Sequence, residues 1–191
     1  SAVQVTVTAP TVPQQSYSEA ILSDNPVLYY QLGGSMVNLA GGNNPRYGAQ
    51  VSTVTPGGVA GSIASASDFV GTSTSIVSSS STVPLVGEMS QEVWFKTTTT
   101  VGGKLIGYGN KRDSDSGTTD RNLYMTNAGK VIFGVYSGGV KSIISPKVYN
   151  DDQWHHAVAT LGSDGMKLYL DGQLVGSRTG IIEGRSFAGY W

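Results

Sequence analysis

Two glutamates, Glu88 and Glu92, stand four residues apart at the head of the run Ser90-Gln91-Glu92-Val93-Trp94-Phe95-Lys96, and paired carboxylates are what glycosidic hydrolysis requires. Alternate residues of a strand share a face, so both would project to one side. A rise of ~3.3 Å per residue separates them by about 13 Å, well beyond the ~5 to 5.5 Å of a retaining pair. Glu88 therefore reads as the solvated start of a strand. A second acidic group, Asp113, Asp115 and Asp120, lies in Asn110-Lys111-Arg112-Asp113-Ser114-Asp115-Ser116-Gly117-Thr118-Thr119-Asp120. Its oxygens suit calcium, which takes ~6 to 8 ligands in flexible geometry at ~2.3 to 2.6 Å. The run lacks the closing Glu of an EF-hand, and Lys111 and Arg112 can neutralise the acids. A calcium site and a plain solvated loop both stand as readings of it.

Sugar recognition needs an aromatic platform for the apolar face of a pyranose beside amide, hydroxyl and charged partners. Tyr108, Tyr124, Tyr136 and Tyr149, with Asn110, Arg121 and Asn122 near them in sequence, form the candidate set. A β-sandwich also needs aromatics in its core, and each tyrosine has that second reading. His155 and His156 are adjacent, so in a regular strand they point to opposite faces and cannot chelate one ion as a pair. The chain has no Gly-x-Ser-x-Gly elbow for a serine nucleophile and no Gly-Lys-Ser/Thr phosphate loop.

The elements that must position these groups are strands. Val93 and Phe95 oppose Glu92, Trp94 and Lys96; Val131, Phe133 and Val135 oppose Ile132, Gly134 and Tyr136; Trp154, His156, Val158 and Thr160 oppose His155, Ala157, Ala159 and Leu161; Met166, Leu168 and Leu170 alternate with Lys167 and Tyr169. Turn residues fall between the runs, above all Asp171-Gly172, and the stretch from Arg121 to Arg178 reads as an antiparallel meander. Tyr17 to Leu22 alone looks helical, with Ser16 or Ser18 as cap, and residues 51 to 81 read as short strands joined by loops. Many short strands and almost no helix in 191 residues imply an all-β fold, a two-sheet sandwich or jelly roll.

Composition narrows the function. Only 13% of residues are charged, and the net charge is -1 with 12 Lys and Arg, too few for the basic stripe of a nucleic-acid or anionic-membrane binder. The absence of cysteine excludes disulfides, thiolate zinc sites and cysteine nucleophiles. No run approaches the ~18 apolar residues of a membrane span, so no membrane insertion is expected. At the start, Val3, Val5 and Val7 alternate with Gln4, Thr6 and Thr8 before Ala9-Pro10-Thr11-Val12-Pro13. Residues 1–13 read as a trailing strand and linker from an upstream domain, or else as an edge strand of the same domain, and residues 14–191 as the sandwich.

Four segments, in order, resemble the laminin G-like branch of the concanavalin A-like lectin/glucanase superfamily. They are Asp24-Asn25-Pro26-Val27-Leu28-Tyr29-Tyr30-Gln31-Leu32-Gly33, similar to the opening strand; Ala66-Ser67-Asp68-Phe69-Val70-Gly71; Ser90-Gln91-Glu92-Val93-Trp94-Phe95-Lys96; and Trp154-His155-His156-Ala157-Val158-Ala159 followed by Met166-Lys167-Leu168-Tyr169-Leu170-Asp171-Gly172. The last pair is the most specific. The resemblance implies two curved antiparallel sheets in a concanavalin A-like jelly roll, and it implies calcium, which many relatives bind. In the superfamily's glucanases a further acid stands between two like Glu88 and Glu92; here Ser90 holds that place.

The resemblance implies a non-catalytic recognition module, secreted or on a cell surface, binding a glycan or an extracellular protein within a larger protein. The alternatives are a structural module of a bacterial surface fibre or phage tail and, less favoured by the missing middle acid, a glycoside hydrolase. Ser186-Phe187-Ala188-Gly189-Tyr190-Trp191 resembles a family segment that leads into one more strand. The sandwich is thus expected to lack its last strand, with an open edge at which a strand-donating or assembly partner would dock.

Overall fold

Alternation and turn chemistry together account for the strands of the computed structural model, which describes residues 15–59, 65–84 and 87–191. The trailing strand and linker read at residues 1–13 lie outside the described residues. The elements are α1 (Tyr17–Ser23), β1 (Pro45–Tyr47), β2 (Val51–Val54), β3 (Ala66–Phe69), β4 (Val77–Ser79), β5 (Met89–Phe95), β6 (Gly103–Gly109), β7 (Thr119–Met125), β8 (Val131–Tyr136), β9 (Val140–Ile144), β10 (His155–Gly162), β11 (Gly165–Leu170) and β12 (Gln173–Arg178). One four-stranded sheet runs β12-β11-β10-β5 and the other β6-β7-β8-β9, with β1-β4 and β2-β3 as two-stranded ribbons. All these pairings are antiparallel.

The core lies between the two four-stranded sheets. Phe95, Ala157, Ala159, Leu161, Met166, Leu168 and Leu170 from one layer meet Leu123, Met125, Val131, Phe133, Val135 and Ile143 from the other. Each buried leucine contributes about 1.5 to 3 kcal/mol by leaving water, and the small Ala157 and Ala159 let the layers approach. A polar tie crosses the same space: the Gln91 side-chain amide donates to the Arg121 carbonyl at 2.8 Å.

Asp171 and Gly172 have φ of 50 and 76°, and Leu170 pairs with Gln173 around them, the two-residue hairpin that Asp-Gly favours. The helix is capped as a box: Ser16 Oγ accepts from Glu19 N at 3.3 Å, and Glu19 accepts from Ser16 N at 2.8 Å.

Two expectations change. The single meander from Arg121 to Arg178 is two, β7-β8-β9 and β10-β11-β12, in different sheets. Residues 145 to 154 carry the chain across, tied by Tyr149 N to Gly129 O at 2.8 Å and by the Asn150 amide to Thr99 O at 2.9 Å. Alternation has the same period in either sheet and is silent about the crossing. The segment read as an opening strand, Asp24 to Gly33, joins neither four-stranded sheet: the buried Asn38 side chain takes the Tyr29 N–H at 2.8 Å, and Leu32 turns the backbone with a φ of 59°. The last residues lie against one end of β6: Tyr190 bridges Gly109 of that strand, Gly189 bridges Val83, and Ser79 N donates to Trp191 O at 2.7 Å.

Candidate functional site

Because Ala157, Ala159 and Leu161 of β10 face the core, His156, Val158 and Thr160 stand on the outer face of that sheet. The same alternation puts Ser90, Glu92 and Trp94 of β5 and Lys167 and Tyr169 of β11 beside them. Register then makes rows across the strands. Thr160 lies opposite both Ser90 and Lys167, Val158 opposite both Glu92 and Tyr169, and His156 opposite Trp94. Leu174 of β12, 53% exposed, continues the row of Tyr169.

A shallow depression of about 560 Å³ lies over the first of these rows, lined chiefly by Glu88, Ser90, Thr160, Lys167 and Tyr169, with the Gly162–Gly165 turn at its rim. The Glu88 carboxylate accepts the Ser163 N–H at 2.9 Å, and that bond holds its pKa below the usual glutamate range. Lys167 pairs with Asp164, which raises the lysine pKa and lowers that of the aspartate. The depression thus offers fixed carboxylates, an ammonium and two hydroxyls around one half-buried tyrosine, the mixture of apolar surface and hydrogen-bonding groups that a polyhydroxylated ring engages.

The far end of the face is covered. Trp94 and His156 stack with ring centroids 4.7 Å apart, and Tyr17 of α1 meets Trp94 edge-on at 6.3 Å. The Tyr17 hydroxyl accepts from Trp94 Nε1 at 2.9 Å and donates to Glu92 Oε1 at 2.7 Å. Burial, with Glu92 adding to it, raises the Tyr17 pKa and keeps the phenol a donor. Burial alone would raise the Glu92 pKa, but His156 and the Tyr17 hydroxyl outweigh it and lower it. Glu88 and Glu92 do share this face, with Ser90 between them and each carboxylate already engaged. Strand rise sets ~13 Å between them, beyond the separation of a retaining pair.

His155 and His156 diverge as their adjacency requires. His155 lies on the core side between Phe95 and Tyr149, its Nδ1 2.9 Å from Asp171 and its Nε2 2.9 Å from Asp151. Burial alone would lower its pKa; the two carboxylates outweigh that and raise it. An imidazolium satisfies both carboxylates, and Asp171 also accepts the His156 N–H at 2.9 Å, so the cluster fastens the start of β10 to the Asp171-Gly172 turn.

The residues proposed from sequence for sugar binding divide. Tyr108, Arg121 and Tyr149 leave the candidate surface, being 0, 2 and 7% exposed. Tyr108 packs between the rings of Phe187 and Trp191 and donates to the Val83 and Phe187 carbonyls. Arg121 Nη1 donates to the Arg185 carbonyl at 2.9 Å, and Tyr149 meets His155 edge-on. Asn122, Tyr124 and Tyr136 come together on the outer face of the β6-β9 sheet, where Asn122 lies opposite Gly134. The Arg185 guanidinium sits 4.0 Å over the Tyr136 ring. Asn110 is apart, on the exposed loop, its Oδ1 accepting from Thr118 N at 3.0 Å.

The three aspartates read as calcium ligands do not converge. Asp120 is 1% exposed, and its Oδ1 accepts from Arg121 N at 2.7 Å and Tyr136 N at 2.9 Å, while Oδ2 accepts from Arg185 N and pairs with the Arg121 guanidinium. Asp113 is held at 2.9 Å by both Arg46 and Arg112, so its charge is already matched. Asp115 is left in the exposed loop. Among the described residues no group of three or more His, Asp or Glu is placed to hold a metal ion. The residues that sequence reasoning passed over, Thr160, Lys167 and Tyr169, carried a usable signal: they alternate with core positions and therefore had to face outward.

A family model described as the concanavalin A-like lectin/glucanases superfamily, in its laminin G branch, matches residues 70–188, more than half of the chain. No curated protein matches. Among solved structures, the native heptameric SAP-like pentraxin from Limulus polyphemus is similar with a TM-score of 0.42 and 20% identity, over 59% of this chain and 54% of that one. This chain thus spans about half the length of the pentraxin. No helix among the described residues is long and apolar enough to cross a membrane.

Proposed function

Because the chain belongs to the laminin G-like branch of the concanavalin A-like lectin/glucanase superfamily, we propose that it is a non-catalytic extracellular recognition module whose ligand is a glycan, bound on the outer face of the β12-β11-β10-β5 sheet. The observation that carries this reading is the depression around Tyr169, with Glu88, Ser90, Thr160 and Lys167 as its hydrogen-bonding rim. A tyrosine ring offers apolar area for the C–H face of a pyranose, and the charged and hydroxyl groups around it can take up the ring's hydroxyls. A shallow open site suits a polymer lying across the strands better than a small molecule enclosed by them. Engagement of both glutamates in structural contacts, and the hydroxyl of Ser90 where a third acid would be needed, support binding without turnover.

The experiment is a glycan array with calcium and with chelator, followed by titration of the best ligand into Tyr169→Ala. Loss of the ring is expected to weaken binding about tenfold, equivalent to ~1.4 kcal/mol. Binding that Tyr169→Ala leaves unchanged would move the site to the patch of Asn122, Tyr124 and Tyr136. Hydrolysis of the bound glycan, abolished in Glu92→Gln, would overturn the non-catalytic reading.

A further inference from the structure

Helix α1 buries none of its seven residues, yet it lies against the one place on the sheet face where an indole, an imidazole and a carboxylate meet. Its contacts with the rest of the chain include an aromatic edge and a few hydrogen bonds. Tyr17 supplies the edge on Trp94 and the two bonds of its hydroxyl. Ser18 Oγ, 3.0 Å from the Tyr29 hydroxyl and accepting from the Gln31 amide at 3.2 Å, forms a second point of contact. The capping box of Ser16 and Glu19 is internal to the helix, so the turn can leave the sheet without losing its own cap.

The Tyr17 hydroxyl behaves here as a ligand hydroxyl does. It accepts from an indole N–H and donates to a carboxylate while its ring covers an aromatic surface. The covered groups adjoin the depression. Glu92 shares the row of Tyr169 through Val158, and His156 and Trp94 form the next row along the same strands. His156 Nε2, buried and without a hydrogen bond, lies 3.5 Å from Glu92. A ring bearing a hydroxyl is thus already bound at this end of the face, and it comes from the chain itself.

We propose that Tyr17 is an internal occupant of a second sugar subsite formed by Glu92, Trp94 and His156, and that α1 is a strap whose release lengthens the binding face from Tyr169 to the Trp94–His156 stack. The proposal rests on the glycan reading of the Tyr169 depression. In the strapped form a short oligosaccharide reaches only the depression; in the released form a longer one exchanges its own hydroxyls for that of Tyr17. The apparent affinity of a ligand that needs the open form falls by the fraction of molecules that are open, so a strap closed nine-tenths of the time weakens binding about tenfold.

The test uses four soluble hexasaccharides, β-1,3- and β-1,4-linked gluco-, β-1,4-linked xylo- and β-1,4-linked manno-oligomers, titrated into the unaltered chain, Tyr17→Phe and Tyr169→Ala. Amide exchange across α1 is followed with and without sugar. Tyr17→Phe keeps the ring and removes only the hydroxyl, so it should fold normally, exchange faster in α1, and bind a hexasaccharide several-fold to tenfold more tightly. Sugar should speed α1 exchange in the unaltered chain. Equal affinity of Tyr17→Phe and the unaltered chain, or α1 amides that stay protected when sugar binds, overturns the strap while leaving a Tyr169-dependent site in place. Failure of all three proteins to bind every hexasaccharide overturns the strap and the glycan reading together.

Discussion

The two outer faces of the sandwich come from the same alternation of residues and differ in what the rest of the chain lays upon them. On the β12-β11-β10-β5 sheet, the outward residues of the middle strands are polar or aromatic apart from Val158, and α1 lies over the Trp94 end. On the β6-β9 sheet, Asp120 is buried under Gly184 and Arg185, whose backbone takes its carboxylate, and the guanidinium of Arg185 lies on Tyr136. One face leaves its polar groups facing a depression; the other spends its charged residues on holding the C-terminal segment. An outward position is therefore a necessary condition for contact with a ligand, and what covers it supplies the remainder.

The largest expected effect lies on the covered face. Asp120→Ala removes the acceptor of three backbone N–H groups and the partner of a buried arginine, and breaking such a pair costs about 3 to 5 kcal/mol. Thermal or denaturant unfolding should show this loss. A cost below ~1 kcal/mol, the range of exposed pairs, would mean that the two faces are less different than they look. Next comes the contrast in binding: Tyr169→Ala should weaken a glycan about tenfold, whereas Tyr124→Ala should change it less than about twofold, 1.4 kcal/mol being the tenfold step. Reversal of that order in a titration would exchange the roles of the faces.

A third prediction separates the two sides of β10. The His155 pKa is raised in the folded chain because Asp151 and Asp171 outweigh the effect of burial. Its contribution to stability is complete below the unfolded histidine value, near 6.5, and is lost as pH rises through the higher folded value. Stability measured across that window should decline with pH, and His155→Gln should flatten the decline. An unchanged slope in the variant would show that His155 is not the group behind the decline. The smallest effect belongs to α1. Ser16→Ala removes the helix cap, worth about 1 kcal/mol to the helix, and should speed α1 exchange while moving the global midpoint hardly at all. A large global shift would show that α1 is part of the folding unit and would tie the Trp94 end of its face to the core.

Much of this architecture was legible in the chain. The inward sets of β8, β10 and β11 follow from period-2 alternation, Asp171-Gly172 from the demand for two positive φ values, and the short helix from a start capped by Ser16 or Ser18, of which the structure uses Ser16. The family follows from the Trp154-His155-His156 strand with Leu168-Tyr169-Leu170-Asp171-Gly172, and the match over residues 70–188 agrees. The candidate site was less legible. Tyr108 and Tyr169 are both tyrosines near strand ends, and neither composition nor spacing distinguishes the one under Phe187 and Trp191 from the one beside an open depression.

By itself, then, the sequence determined the class of fold, the two sides of β5, β8, β10 and β11 and the exclusion of thiol chemistry, because those depend on residue type and on neighbours two positions away. Tertiary structure alone decided that residues 145 to 154 cross between sheets, that Asp120 is a buried anchor, and which tyrosine stays beside an open depression. These outcomes depend on which distant segment comes to rest on an outward face: residues 184 to 191 on Tyr108 and Asp120, and α1 on Trp94. Local alternation has no term for a cover that arrives from sixty or more residues away.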